Sequence, residues 1–133
     1  MVPTTLAPVD ITAGKRLVEL LRRPKSTEVP VELRAAAWLY RESTDDWRLY
    51  LVSPLVDTKG GIYAGLVIFD AMLKHEEFGI LQRRVEITGR RDRHAEWLHK
   101  LKPVGDAKSL GALRIETSTP ENGILSAYIY LST

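Results

Sequence analysis

The sequence contains no cysteine, so no disulfide can stabilise the fold. Small secreted domains often depend on disulfides, and their absence favours a reducing compartment. The chain does not open with a basic segment followed by an apolar run, as a signal peptide would. The longest apolar stretch, residues 62–73, is interrupted by Asp70 and is too short to span a bilayer. We therefore expect a cytoplasmic protein.

The charge is nearly balanced, because 19 Lys and Arg residues stand against 17 Asp and Glu residues. This composition does not require a polyanionic partner, and only local clustering of charge would argue for one. A chain of 133 residues with 44% hydrophobic residues is the usual size of one domain with one core. We expect a single domain over residues 1–133, with residues 1–8 extended or frayed.

Hydrophobic periodicity predicts an α+β fold. The chain contains no internal repeat, linker or low-complexity tract. Hairpin-connected strands with interspersed helices favour a mostly antiparallel sheet of about five strands, with two main helices and one short helix. The predicted elements are a helix over 10–23, a hairpin over 30–54, a helix over 57–77, a strand over 80–88, a short helix over 92–101, and paired strands over 112–117 and 125–131.

The strongest helical pattern lies in residues 57–77. Its apolar row follows the i, i+4, i+7, i+11 spacing, which predicts that this row packs across the face of the sheet. Asp57 or Thr58 is expected to cap the start, and Gly79 to end the helix in a left-handed conformation. The row consists of Ile62, Leu66, Phe69 and Leu73.

The histidines do not form a recognisable site. His94 and His99 are five residues apart, whereas metal-binding pairs on a helix are three or four apart. We interpret His94 as a half-buried structural side chain, and His75 as a favourable charge near a helix end. The sequence therefore predicts no metal site and no cofactor. The acidic pairs and the absence of a G-x-S-x-G elbow give no support to a catalytic site.

The segment Asp57-Thr58-Lys59-Gly60-Gly61 raises an anion-binding hypothesis, because backbone amides at the start of a helix bind phosphate. A P-loop, however, places its lysine after the glycines. Helix capping by this segment is the favoured interpretation.

Five arginines lie within a short segment, and their guanidinium groups suit phosphate. Nucleic-acid or anion contact is one hypothesis for them. The interleaved Glu86, Asp92 and Glu96 favour the alternative of a solvated, salt-bridged surface. The arginines are Arg83, Arg84, Arg90, Arg91 and Arg93.

Two pairs of aromatic residues alternate along predicted strands. Trp38 and Tyr40 share one face of a strand, and Tyr128 and Tyr130 share one face of another. Rings of this kind are frequent at protein interfaces. The competing explanation is that the helix over 10–23 covers them.

Two functional hypotheses follow. The first is a small, bacterial-type, non-catalytic protein-interaction module, such as an accessory, antitoxin or immunity-like subunit, which binds another protein or itself. The alternative is a nucleic-acid-associated protein that uses the arginines of residues 83–93. The sequence resembles no family closely enough to carry a function over.

Overall fold

The computed structural model describes residues 5–23, 27, 29–106, 108–121 and 124–133. Within residues 117–125 the description is limited to the backbone. Its α-helices are α1 (Pro8–Arg22), α2 (Pro54–Lys59), α3 (Gly61–Leu73) and α4 (Arg93–Lys100), and a 3₁₀ helix spans Glu76–Leu81. Its strands are β1 (Ala35–Arg41), β2 (Asp46–Val52), β3 (Val85–Thr88), β4 (Leu113–Glu121) and β5 (Ile124–Ser132). No helix of the described part is long and apolar enough to cross a membrane.

The five strands form one sheet in the order β3-β2-β1-β5-β4. The pair β2–β3 is parallel and the other pairs are antiparallel. The α+β class and the strand number are confirmed, but the sheet is mixed rather than mostly antiparallel. The reason is that α2, α3 and the 3₁₀ helix form a crossover that returns β3 in the direction of β2. The described part also holds five helical segments, whereas three were predicted.

The central strand β1 is covered on both faces. On one face, Trp38 and Tyr40 belong to a core shared with α1, α3 and the 3₁₀ helix. On the other face, Ala35, Ala37 and Leu39 belong to a core shared with α4. The predicted alternation along this strand is therefore confirmed, and both of its sides are interior.

Helix α1 lies over the aromatic face. Pro8 stands in its first turn, where the missing amide proton costs no hydrogen bond. Leu17, Val18 and Leu21 are its large buried side chains. The helix approaches the sheet most closely at Gly14, where an added Cβ would stand 2.6 Å from the Tyr130 hydroxyl and 2.7 Å from Trp38 Nε1. Only a glycine permits this approach.

The predicted helix over 57–77 is two helices. Ser53 caps α2 by accepting a hydrogen bond from the amide of Leu55, and Pro54 follows it. Gly60 then adopts a φ of 88°, which interrupts the helical hydrogen bonds before α3 begins. The predicted cap at Asp57 or Thr58 is wrong, because Ser53 and Pro54 begin the helix one turn earlier. Gly79 does not end the helix, since α3 finishes at Leu73 and Gly79 lies within the 3₁₀ helix.

The remaining elements follow the sequence more closely. Asp92 caps α4 through its carboxylate, at the start of the predicted helix over 92–101. The predicted strand over 80–88 is shortened to Val85–Thr88, since Phe78 and Leu81 are buried in the 3₁₀ helix instead. The turn at 122–123 and residues 1–4 lie outside the described residues, and Leu6 is buried.

Substitutions at two helical glycines are expected to have opposite effects on stability. Alanine is the better helix former by roughly 1 kcal/mol. At Gly65 an added Cβ meets only Ile87, at 4.0 Å, so Gly65→Ala should raise the free energy of unfolding. At Gly14 the overlap with Trp38 and Tyr130 should outweigh this gain, so Gly14→Ala should lower it by about 1–3 kcal/mol. Urea unfolding measures both, and a stabilising Gly14→Ala would contradict the close contact.

Stability above pH 10 is expected to depend on Tyr130. Burial raises the pKa of its phenol, although the hydrogen bond from Trp38 acts in the opposite direction. An unfolded tyrosine ionises at about pH 10, so the native state holds the extra proton above that pH. The associated stabilisation is complete below about pH 10 and is lost as the pH rises further.

The test compares the wild type with Tyr130→Phe. The variant loses the hydrogen bond to the Ile11 carbonyl and should be less stable by roughly 1–3 kcal/mol at neutral pH. Its unfolding free energy should fall less steeply than that of the wild type above about pH 10. Urea titrations at several alkaline pH values measure the slopes, and equal slopes would refute the role of Tyr130.

Candidate functional site

The predicted aromatic interface is mostly interior. Trp38, Tyr40 and Tyr130 are buried, and Tyr128 is partly buried with the Arg114 guanidinium 5.4 Å from its ring centre. Trp38 Nε1–H donates a hydrogen bond of 3.0 Å to the Tyr130 hydroxyl. Three of the four rings named in the interface hypothesis therefore lie inside the fold. The competing explanation, that the first helix covers this face, is what the structure shows.

The arginine cluster does not form one surface. Arg84 binds the Asp10 carboxylate with both terminal nitrogens, at 2.9 and 3.3 Å, and its guanidinium lies 4.7 Å from the centre of the Trp38 ring. This bidentate pair joins the start of α1 to the segment before β3. Arg84 is thus engaged within the fold and is not presented to a nucleic acid.

The other four arginines are exposed in different places. Arg83 precedes β3, with a φ of 64°, and borders a small groove beside α3. Arg93 begins α4, whereas Arg90 and Arg91 lie in the loop before it and line a larger cleft. Among these four, only Arg90 and Arg91 line the larger cleft.

The cleft has a volume of about 860 Å³. It opens where β2 and β3 end, beside the first residues of β1 and α2 and along α4. Its residues come from segments that are far apart in the sequence, which explains why sequence reasoning found only some of them. Arg34, His99 and Lys100 were missed because no local pattern connects them with Arg90 and Arg91.

One wall of the cleft depends on Asp57. Its carboxylate accepts a hydrogen bond of 3.3 Å from the backbone amide of Arg90. The carboxylate also lies against Gly89, where an added Cβ would stand 2.5 Å from Asp57 Oδ1. The proposed anion-binding loop at 57–61 has a different form, since residues 57–59 are the end of α2. Asp57 instead connects this helix to the loop before α4.

His94 is a buried part of the sheet–α4 packing. Its Nδ1 lies 3.1 Å from Asp92 Oδ2, and its ring lies 4.7 Å from that of Tyr50. Its Nε2 is buried without a hydrogen-bond partner among the described residues. Burial also raises the pKa of Tyr50, against the opposing effect of Arg41. His94 does not line the cleft.

The other two histidines are exposed and lie apart. His99 lies in the cleft with its Nδ1 3.4 Å from the Thr133 backbone oxygen. His75 lies beyond the end of α3, which finishes at Leu73, and its ring makes an edge contact with Phe78. The described residues contain no group of three or more metal-ligating side chains.

The largest departure from expectation concerns α3, because the side of this helix that faces the protein interior is not the predicted one. The row that was predicted to pack on the sheet is exposed: Ile62 by 85%, Leu66 by 63%, Phe69 by 46% and Leu73 by 60%. The buried positions are instead Ala64, Ile68, Ala71 and Met72. Ala64 and Ala71 face inward together with Ile68 and Met72 where α3 packs on β3. We call the exposed residues Ile62, Leu66, Phe69 and Leu73, with the half-exposed Tyr63, the α3 apolar surface.

A scan against family models, a search of curated proteins and a search of solved structures find no match to this chain. The two surfaces described above, the α3 apolar surface and the cleft, therefore carry the functional argument.

Coupling between Gly89 and Asp57 tests the geometry of the cleft wall. Gly89→Ala should displace the carboxylate, remove its hydrogen bond with the Arg90 amide and lower the unfolding free energy by about 1 kcal/mol. In an Asp57→Ala background the same substitution should cost little, because the overlapping atoms are gone. Urea unfolding of the four proteins measures the coupling, and additive effects would contradict the contact.

Proposed function

We propose that this chain is a small cytoplasmic protein-interaction module whose contact surface is the α3 apolar surface. The observation that supports this proposal is the exposure of five large hydrophobic side chains along one helix. Monomeric proteins rarely expose such residues in a contiguous row unless the row binds something. The lack of cysteine is consistent with a cytoplasmic setting.

The composition of α3 supports the same conclusion. Asp70 is its only charged residue, so the helix is apolar on nearly all sides. A helix of this kind is normally buried all round, yet here only one side is covered. A partner that covered the outer side would complete the burial that the sequence of α3 favours.

The size of the surface fits the centre of a protein interface. A large apolar or aromatic side chain has on the order of 150–250 Å² of surface, so the exposed fractions correspond to roughly 500 Å². A standard interface buries about 800 Å² on each partner, with an apolar centre and a polar rim. The neighbouring Asp70–Lys74 ion pair is placed to form part of such a rim.

We further propose that the occupant is a second copy of the chain. The row Ile62, Leu66, Phe69, Leu73 has spacings of four, three and four, which read the same in both directions. In an antiparallel pair of α3 helices, Ile62 would therefore face Leu73 and Leu66 would face Phe69. A two-fold axis requires this self-complementarity. No charged residue in the row would oppose its own copy.

The nucleic-acid alternative has less support. Arg84 is bound to Asp10, Arg83 borders the small groove beside α3, and only Arg90 and Arg91 line the larger cleft. Glu86 and Asp92 stay close to them in the chain and reduce the local positive potential. These carboxylates and the internal Arg84–Asp10 pair reduce the support for contact with a phosphate backbone.

The self-association proposal predicts a concentration-dependent dimer. Sedimentation equilibrium across micromolar to millimolar concentrations should detect it, and the double variant Leu66→Asp/Phe69→Asp should be monomeric. Both side chains point outward, so the variant should keep its thermal midpoint. Val9→Asp is the matched control, because Val9 is also an exposed hydrophobic residue but lies on α1; it should dimerise like the wild type.

Two outcomes would contradict the proposal in different ways. A wild-type protein that stays monomeric at millimolar concentration would exclude the second copy as the occupant. The wild type and the double variant would then be purified from the native host in parallel and compared by mass spectrometry. Retention of the same proteins by both would refute the interaction function of this surface.

A further inference from the structure

The cleft beside α4 combines an apolar floor with a basic rim. Ala35, Val52 and Ala95 line its floor and are nearly completely buried, and Pro54 borders them. They are the apolar part of the lining, beside the exposed charged residues Arg90, Arg91 and Lys100. The volume of about 860 Å³ falls within the range of small-molecule sites.

The rim of the cleft carries exposed cations. Arg90, Arg91 and Lys100 are exposed, and the described residues include no ion pair that engages them. Arg34 also lines the cleft and is paired with Glu32 at 3.1 Å. Two adjacent arginines in the same cleft as a lysine can hold a carboxylate or phosphate by charge-assisted hydrogen bonds.

The position of the cleft in the fold is also informative. It lies beyond the carboxyl ends of β2 and β3, which are the parallel pair of the sheet. In sheets with parallel strands, ligands bind in crevices at these ends, because the following loops diverge there. Here the chain turns into α2 after β2 and into the Gly89–Asp92 loop after β3, and the cleft lies between them.

We propose that this cleft binds a small amphipathic anion, with an apolar or aromatic body on the floor and a carboxylate or phosphate held by Arg90 and Arg91. The carboxylates of Asp57 and Glu96 lie in the same cleft and disfavour an extended polyanion. They suit a ligand that carries a single anionic group and offers a hydrogen-bond donor at its other end. This proposal does not depend on self-association, since no residue of α3 lines the cleft.

The test uses the full chain and three small probes. Benzoate and phenyl phosphate each carry an aromatic body with one anionic group, and inorganic phosphate lacks the body. Titrations followed by amide chemical shifts should show saturable shifts at Val52, Arg90 and Ala95 for at least one aromatic probe. Inorganic phosphate should bind about tenfold more weakly, because it cannot bury apolar surface on the floor.

Two variants distinguish binding in the cleft from non-specific binding to exposed basic side chains. Arg90→Ala/Arg91→Ala should weaken binding of the aromatic probe by about tenfold or more. Arg93→Ala is the matched control: it removes a neighbouring exposed arginine that does not line the cleft, and should change affinity less than about twofold. All of these side chains are exposed, so each variant should fold as the wild type does.

The relative affinities of benzoate and phenyl phosphate would identify the anionic group that the site prefers. The absence of saturable shifts with both probes would overturn the proposal. An equal loss with Arg93→Ala would also overturn it, and a single-stranded oligonucleotide that shifts the same residues more strongly would then assign the surface to nucleic acid. Equal binding of inorganic phosphate and phenyl phosphate would show that the floor does not recognise a ligand.

Discussion

The contact of Gly14 with Trp38 and Tyr130 fixes the distance between α1 and the sheet. The indole of Trp38 donates to the Tyr130 hydroxyl, which donates to the Ile11 carbonyl, so one chain of hydrogen bonds crosses β1, β5 and α1. Because α1 is held at this height, Asp10 reaches Arg84, whose guanidinium lies over the Trp38 ring. Buried polar groups are tolerated when each has a hydrogen-bond partner. The indole N–H of Trp38 and the hydroxyl of Tyr130 can lie inside the aromatic face because each is hydrogen-bonded.

The same arrangement explains why α3 has an uncovered side. Two large rings and α1 occupy the centre of one face of the sheet, so α3 packs at the edge, against β3 and the 3₁₀ helix. There α3 buries Ala64, Ile68, Ala71 and Met72, and its second row of large side chains stays outside. The opposite face, lined by Ala35 and Ala37, is covered by the short α4 instead. The exposed row and the cleft therefore both follow from the arrangement of the helices, with α1 and α3 on one face of the sheet and α4 on the other.

Local patterns predicted the elements that depend on local chemistry. The β1–β2 hairpin and α4 follow from local periodicity, and they are present. In β5, Ala127 and Ile129 lie in one core and Tyr130 in the other, but Leu131 joins the core of Tyr130, where the register with β1 shifts. The rotation of α3 was not predictable in this way, because a helix that is apolar on nearly all sides has no unique inner face. The parallel pairing of β3 and the coverage of Trp38 are properties of tertiary topology. Among the candidate site residues, Arg90 and Arg91 meet Arg34 and Lys100 only because three distant segments end at one edge of the sheet.

The position of β5 between β1 and β4 has a consequence for synthesis on the ribosome. Of the five strands, β5 is translated last, yet its partner β1 is translated before the other four. Until β5 emerges, β1 has an open edge with alternating Trp38 and Tyr40, and Trp38 lacks its hydrogen-bond acceptor. Unpaired hydrophobic edges favour association with other chains, and pairings between distant segments form slowly. The nascent chain therefore passes through an interval in which its most apolar strand is half paired, and this interval is when a chaperone would be of most use to it.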